Sequence, residues 1–258
     1  MKNSMFKRVL ACLLAALCVC ALLTACGAPE TPADDKTTGA AAETNAPTEP
    51  SAEAPYDYMV LVNKENKLPD NWESVIVLED AQNTIPEGVE LNKDNEYLAT
   101  DVFKVETKAL KAFRALQEDL AKEGITILLD STYRSVARQE ELWKQFEAEK
   151  CLEYTKKYVA VPGYSEHHTA LAIDVCLIKD GVIINDNDQM IAEKDIFAKI
   201  HAKLAAYGFI LRFPEGRDEI TGYAYEPWHF RYIDSPEIAK QIMDSGLTLE
   251  EYLTRNSN

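Results

Sequence analysis

The sequence predicts an α+β fold, a small and mostly antiparallel sheet flanked by helices, on three observations. From Tyr56 onward, short apolar runs rich in β-branched residues are mixed with longer amphipathic stretches. The two kinds do not alternate regularly, as a parallel βαβ sheet requires, and no internal repeat is present. At 258 residues and 47% hydrophobic composition, the chain suits one globular domain plus extra segments.

The elements follow in order. Asp101 to Glu123 carries Val102, Val105, Ala109, Phe113, Leu116 and Leu120 at three-and-four spacing, which predicts a helix stopped by Gly124. Ile125 to Leu129 is a short apolar run that predicts a buried strand. A turn at Ser131 to Ser135 then leads into a helix over Val136 to Glu147, so Arg134 belongs to a strand-to-helix junction. After a loop containing Pro162 and Gly163, Ala170 to Ile178 is expected as a strand, with a turn at Lys179 to Gly181 into Val182 to Ile184. Glu193 to Tyr207 predicts a helix stopped at Gly208. Phe209 to Arg212 and Trp228 to Ile233 predict further strands, and Ser235 with Pro236 caps a closing helix.

The first 55 residues read differently. Lys2, Lys7 and Arg8 precede the apolar run Val9 to Leu23, the layout of a secretory signal and short for a membrane span. The run ends Leu23-Thr24-Ala25-Cys26, which resembles the lipobox of bacterial lipoproteins. That resemblance implies a signal peptide over 1–25 and Cys26 as the lipidated first residue of the mature protein. An ordinary signal peptide is the alternative. Gly27 to Pro55 has no Val, Ile, Leu, Phe, Met, Trp or Tyr and cannot build a core, so 26–55 is expected to be a tether and 56–258 the folded domain. Such a coil has a root-mean-square span of roughly 30 Å and could stretch to about 100 Å. The expected location is extracytoplasmic, held to the bacterial cell membrane only through the lipid.

Charge and cysteine content exclude other classes. With 27 basic and 43 acidic residues the net charge is −16, and every acidic residue lies beyond Ala25. A domain this acidic repels nucleic acid and anionic lipid. Four of six cysteines fall within the first 26 residues, so a disulfide-dense scaffold is excluded; Cys151 and Cys176 are expected as packed small hydrophobes, with pairing left open. A monomer is expected.

The candidate chemistry rests on few residues. Of four histidines, His201 lies in a helical stretch without acidic or cysteine partners at ligand spacing, and is expected to be an ordinary solvated or packed side chain. His167 and His168 end a loop that leads into a strand containing Asp174. A carboxylate among Ile173, Val175 and Leu177 needs a cation or hydrogen bonds to be buried, and a metal would satisfy it. In a strand from Trp228, His229 and Arg231 share one face while Trp228, Phe230 and Tyr232 fill the other. A bend at Pro227 would turn Glu226 towards His229. Two imidazoles and one carboxylate leave zinc an open position for water, and a nearby free glutamate can take that water's proton.

Ser165-x-His167-x-x-x-x-Ala172-x-Asp174 and Glu226-Pro-Trp-His229, preceded by Tyr133-Arg134-Ser135 and Gln139, resemble the VanY/LdcB group of M15 zinc D-alanyl carboxypeptidases. The likeness runs from about Leu61 to Tyr252 and includes Leu61-Val62-Asn63-Lys64 and Ile220-Thr221-Gly222. It implies a single zinc peptidase domain holding one Zn2+ through His167, Asp174 and His229, with Glu226 as general base. It also implies that Arg134 contacts the substrate or the developing oxyanion, and that Ser165 and Gln139 help hold the terminal D-alanine. The implied activity is removal of that D-alanine from peptidoglycan stem peptides, with D,D or L,D specificity. A non-catalytic zinc-containing wall-binding module and a peptidoglycan endopeptidase are the rival functions. The group usually has glycine where Ala170 stands, often glycine at Thr132 and glutamine at His168. A positive φ at Ala170 would add strain of about 1 kcal/mol. Adjacent residues of an extended segment point oppositely, so His167, not His168, is expected at the metal.

Overall fold

The computed structural model describes residues 56–149 and 151–256. The predicted signal peptide, Cys26 and the tether lie outside them. In chain order come α1 (Trp72–Val75), β1 (Leu78–Ala81), α2 (Tyr97–Thr100), β2 (Phe103–Glu106), α3 (Thr107–Ala121) and β3 (Thr126–Ser131). Then follow α4 (Val136–Glu149), α5 (Leu152–Tyr158), a 3₁₀ turn at Glu166–Thr169, β4 (Ala172–Lys179) and β5 (Val182–Ile184). The chain continues through α6 (Asn187–Ala192), α7 (Lys194–Leu204), β6 (Phe209–Leu211), α8 (Asp218–Thr221), β7 (His229–Tyr232), α9 (Pro236–Ser245) and α10 (Leu249–Asn256). None of the described helices is long and apolar enough to cross a membrane.

Every strand pairing among the described residues is antiparallel, in keeping with the expected mostly antiparallel sheet. β1 pairs with β2, and the larger sheet runs β3-β4-β7-β6 with β5 added to β4. Ala109, Leu110, Phe113, Leu116 and Leu120 of α3 are buried in one cluster with Ile127, Leu129, Val175, Leu177, Phe197, Phe209 and Phe230. Each Val, Leu, Ile or Phe side chain among them contributes roughly 1.5 to 3 kcal/mol. Ile210, alternating with Phe209, joins Ile233, Ala239, Ile242 and Leu249 in a second cluster under α9 and α10.

Two element starts differ from expectation by more than one residue. The predicted helix from Asp101 starts at Thr107, because Phe103–Glu106 pairs with β1 and Glu106 caps the helix, its carboxylate accepting from the Ala109 N–H at 2.9 Å. Val102 and Val105 fit the helical spacing, yet Val102 is exposed and Val105 is buried from a strand. The strand predicted from Ala170 begins at Ala172, since the chain coils through the 3₁₀ turn and Ala170 adopts a left-handed conformation. The closing helix forms as expected, with Ser235 Oγ accepting from Ile238 N–H at 3.2 Å, but α10 follows it. Cys176 is buried, whereas Cys151 is exposed and unpaired, so the packed-hydrophobe expectation fails for Cys151.

Candidate metal centre and active site

The three central strands bring the chemistry together at one end of the sheet. Ser131 at the end of β3 pairs with Asp174 of β4, and Asp174 pairs with His229 of β7. Residues directly opposite on antiparallel strands bring their side chains within about 5 Å. His167 arrives from the 3₁₀ turn ahead of β4. Its Nε2 lies 3.2 Å from Asp174 Oδ2, and His229 Nδ1 lies 2.7 Å from Asp174 Oδ1. One ligand atom from each residue falls within 4.8 Å of the others.

Hydrogen bonds on the far side of each ring set which nitrogen faces inward. Thr132 O accepts from His167 Nδ1 at 2.8 Å; a carbonyl can only accept, so Nδ1 carries a proton and Nε2 is the nitrogen turned towards Asp174. Burial holds the His167 imidazole below its ordinary value. His229 Nε2 donates to Glu166 Oε2 at 2.9 Å, turning Nδ1 into the cluster. Burial opposes charge on His229, but Asp174 and its hydrogen bond, then Glu166, outweigh it and push the ring up to about 10. Burial would likewise raise Asp174, yet the two imidazoles hold it well below the usual carboxylate range. Two imidazole nitrogens and a carboxylate oxygen are the donor set of an open zinc site, so the residues fit that metal.

His168 has other partners. Its Nε2 accepts from Gly163 N–H at 3.1 Å and its Nδ1 donates to Arg134 O at 2.5 Å, bracing the loop beside the site. The separation of the two histidines comes from the 3₁₀ turn instead of an extended segment. His201 donates to or accepts from nothing in the cluster; its Nε2 lies 2.9 Å from Pro227 O, and its ring packs between Phe197 and Phe230.

Glu226 sits beyond the ligand cluster, Oε2 at 3.9 Å from His229 Nδ1. A turn places it there, with His229 N–H donating to Glu226 O and Glu226 N–H to Phe213 O, both at 3.2 Å. Burial raises its carboxyl to about 7, helped by Asp174 and Glu166 and opposed by His229 and Arg134. A group titrating near neutrality suits a general base. Arg134 donates to Gln139 Oε1 at 2.9 Å and Ser131 Oγ at 3.1 Å, and among the described residues no carboxylate forms an ion pair with it. Gln139 is fully buried and gives its amide N–H to Ala160 O at 2.7 Å, so both ends of its amide are engaged in fixing Arg134. Ser165 is buried at the start of the 3₁₀ turn, its carbonyl accepting from His168 N–H.

Ala170 has φ 59° and ψ 10° and is fully buried. Left-handed strain of about 1 kcal/mol stands against about 0.8 kcal/mol for a buried methyl group, so the two nearly cancel. His167 accordingly keeps its place in the cluster. Ala170→Gly is expected to change stability by less than about 0.5 kcal/mol in denaturant unfolding and to leave metal content unaltered. A gain above about 2 kcal/mol would show that the methyl group distorts the ligand loop.

Sequence reasoning missed Glu166, Arg212 and Phe213. The β7 alternation puts Arg231 on the His229 face, and a cation on an inward face is the available signal for a buried acid. Glu166 is that acid, bonded to Arg231 at 2.8 Å and Arg212 at 2.7 Å. Phe213 lies against the His229 ring, centroids 4.7 Å apart.

The profile of the family described as VanY, D-alanyl-D-alanine carboxypeptidase, matches residues 102–235, just over half of the chain. The chain is 41% identical over 158 residues to the bifunctional D-Ala-D-Ala dipeptidase and D-Ala-D-Ala carboxypeptidase VanXYC of Enterococcus gallinarum, covering 60% of this chain and 77% of that one. The structure of the LdcB LD-carboxypeptidase, tied to peptidoglycan recognition, superposes with a TM-score of 0.55 at 31% identity, covering 75% of this chain and 84% of that one. A vancomycin-resistance D,D-pentapeptidase VanY mutant in complex with Zn(II) superposes with a TM-score of 0.56 at 27% identity, covering 76% and 98%. The geometry of the candidate site and these likenesses agree: this chain is a peptidase and belongs to the VanY family of D-alanyl-D-alanine carboxypeptidases.

Proposed function

We propose that this peptidase is a zinc carboxypeptidase that removes the terminal D-alanine from peptidoglycan stem peptides, with one zinc held by His167, Asp174 and His229. The observation that carries the reading is the pair of imidazoles, each hydrogen-bonded on its outer nitrogen so that the inner one faces Asp174. Zinc, when bound there, supplies Lewis acidity and lowers the pKa of a coordinated water. Glu226 accepts the proton of the attacking water and returns it to the leaving D-alanine nitrogen. Arg134, a cation with neutral partners, provides the counter-charge for the D-alanine carboxylate or the developing oxyanion, and Gln139 keeps it extended. Ser165 lines the same loop.

The deciding assay is incubation of the zinc-loaded domain with tetrapeptide and pentapeptide stems and mass measurement of the products. Loss of one alanine from the pentapeptide marks D,D activity, and from the tetrapeptide L,D activity. Protein that holds zinc yet releases D-alanine from neither would be a wall-binding module, and cleavage within a crossbridge would make it an endopeptidase.

We further propose that the domain is tethered outside the membrane through a lipid on Cys26, supported by the charged-then-apolar leader and the lipobox-like Leu23-Thr24-Ala25-Cys26. Cys26→Ala is expected to abolish lipid attachment and processing, read by mass spectrometry of the membrane-fraction protein. A variant lipidated and processed like wild type would remove the anchor.

A further inference from the structure

Glu166 precedes a proposed ligand but faces the other one. Its two oxygens divide their partners: Oε1 accepts from Arg212 Nε at 2.7 Å and Arg231 Nη1 at 2.8 Å, while Oε2 accepts from His229 Nε2 at 2.9 Å. The carboxylate is 3% exposed and both guanidiniums are 0% exposed. Arg212 is further fixed by a bidentate pair with Glu250 of α10, at 2.6 and 3.0 Å, and Glu250 Oε1 also accepts from Asn63 Nδ2 at 3.0 Å. Arg231 gives Nη2 to Tyr58 O at 2.9 Å and Val60 O at 2.8 Å.

Two guanidiniums and two carboxylates already balance one another in this network. Glu166 therefore needs no charge from His229, and its Oε2 is left to the imidazole alone. A ring held by a charged acceptor on one nitrogen has its orientation and tautomer set for the other. Asn63, Tyr58, Val60 and Glu250 all lie outside residues 102–235, so the brace draws both ends of the folded domain onto the site.

We propose that Glu166 is a positioning residue for His229, holding Nε2–H so that Nδ1 is presented to the metal, and that Arg212, Arg231 and Glu250 hold Glu166 in turn. This rests on the zinc reading of the site. In Glu166→Gln the single carbonyl oxygen is drawn to the two guanidiniums. The amide N–H₂ then faces His229 Nε2, which must become the acceptor, and the ring proton moves to Nδ1, the atom needed for the metal.

The test is zinc affinity of wild type and Glu166→Gln by competition with a chromophoric chelator, with circular dichroism for fold and nitrogen-15 spectra of the histidine rings. A folded variant with zinc affinity lowered about 10- to 100-fold and the His229 proton on Nδ1 is the expected result. A folded variant with wild-type affinity would overturn the proposal. Should the variant fail to fold, the ring spectrum of zinc-loaded wild type decides: a slowly exchanging Nε2–H on His229 supports the positioning role, and a proton on Nδ1 overturns it. Wild-type protein that binds no zinc would overturn the reading of the site itself, an outcome separate from zinc binding that is indifferent to Glu166.

Discussion

Glu226→Gln should leave fold and zinc content intact while D-alanine release from stem peptides falls by about 10² to 10⁴, roughly 3 to 5 kcal/mol of barrier. The substitution keeps the side-chain volume and leaves His167, Asp174 and His229 untouched, but it removes the only group in the turn before His229 that can accept a proton. At 3.9 Å from His229 Nδ1, Glu226 is near enough to serve a water in the cluster and too far to share the imidazole's hydrogen bond. The pH profile gives a second readout. Burial raises Glu226 to about 7, and below its pKa the carboxyl is protonated and cannot act as base, so kcat/KM should fall on the acid side. A bound cation favours the carboxylate and moves that limb below 7. The limb should be missing from the residual activity of the variant. A variant as active as wild type would remove Glu226 from the mechanism.

The other large effect is expected at the ligands. His167→Ala takes one imidazole from a buried set in which Asp174 already depends on both rings for its charge. Zinc that binds only the folded form stabilises it, by about 4 kcal/mol when free metal is a thousand times its Kd. Wild-type thermal unfolding should therefore rise with added zinc. His167→Ala should bind far less metal and lose that dependence. Metal analysis with melting curves at several zinc concentrations checks both together. Full occupancy in both His167→Ala and His229→Ala would exclude this ligand set.

Local sequence carried much of the structure. The α3 stripe of Ala109, Phe113, Leu116 and Leu120, the capped start of α9 at Ser235, and the β7 alternation of His229 and Arg231 against Phe230 and Tyr232 are patterns of neighbouring residues, and local geometry alone turns them into faces. Asp174 could be singled out because a carboxylate within an apolar strand demands a partner wherever it lies. The partners themselves were decided by tertiary structure. Asp174 meets His229 through the pairing of β4 with β7 across 55 residues, and a strand's periodicity says nothing about which strand it pairs with. For the same reason the spacing from Asp101 predicts helix through Phe103–Glu106, a segment that its pairing with β1 makes a strand. His167 and His168 were separated by a 3₁₀ turn ending in left-handed Ala170, a conformation set by the surrounding fold. Glu166 takes its role from Arg212, Arg231 and His229, which stand 46, 65 and 63 residues away, so no pattern of neighbouring residues marks it as a buried acid.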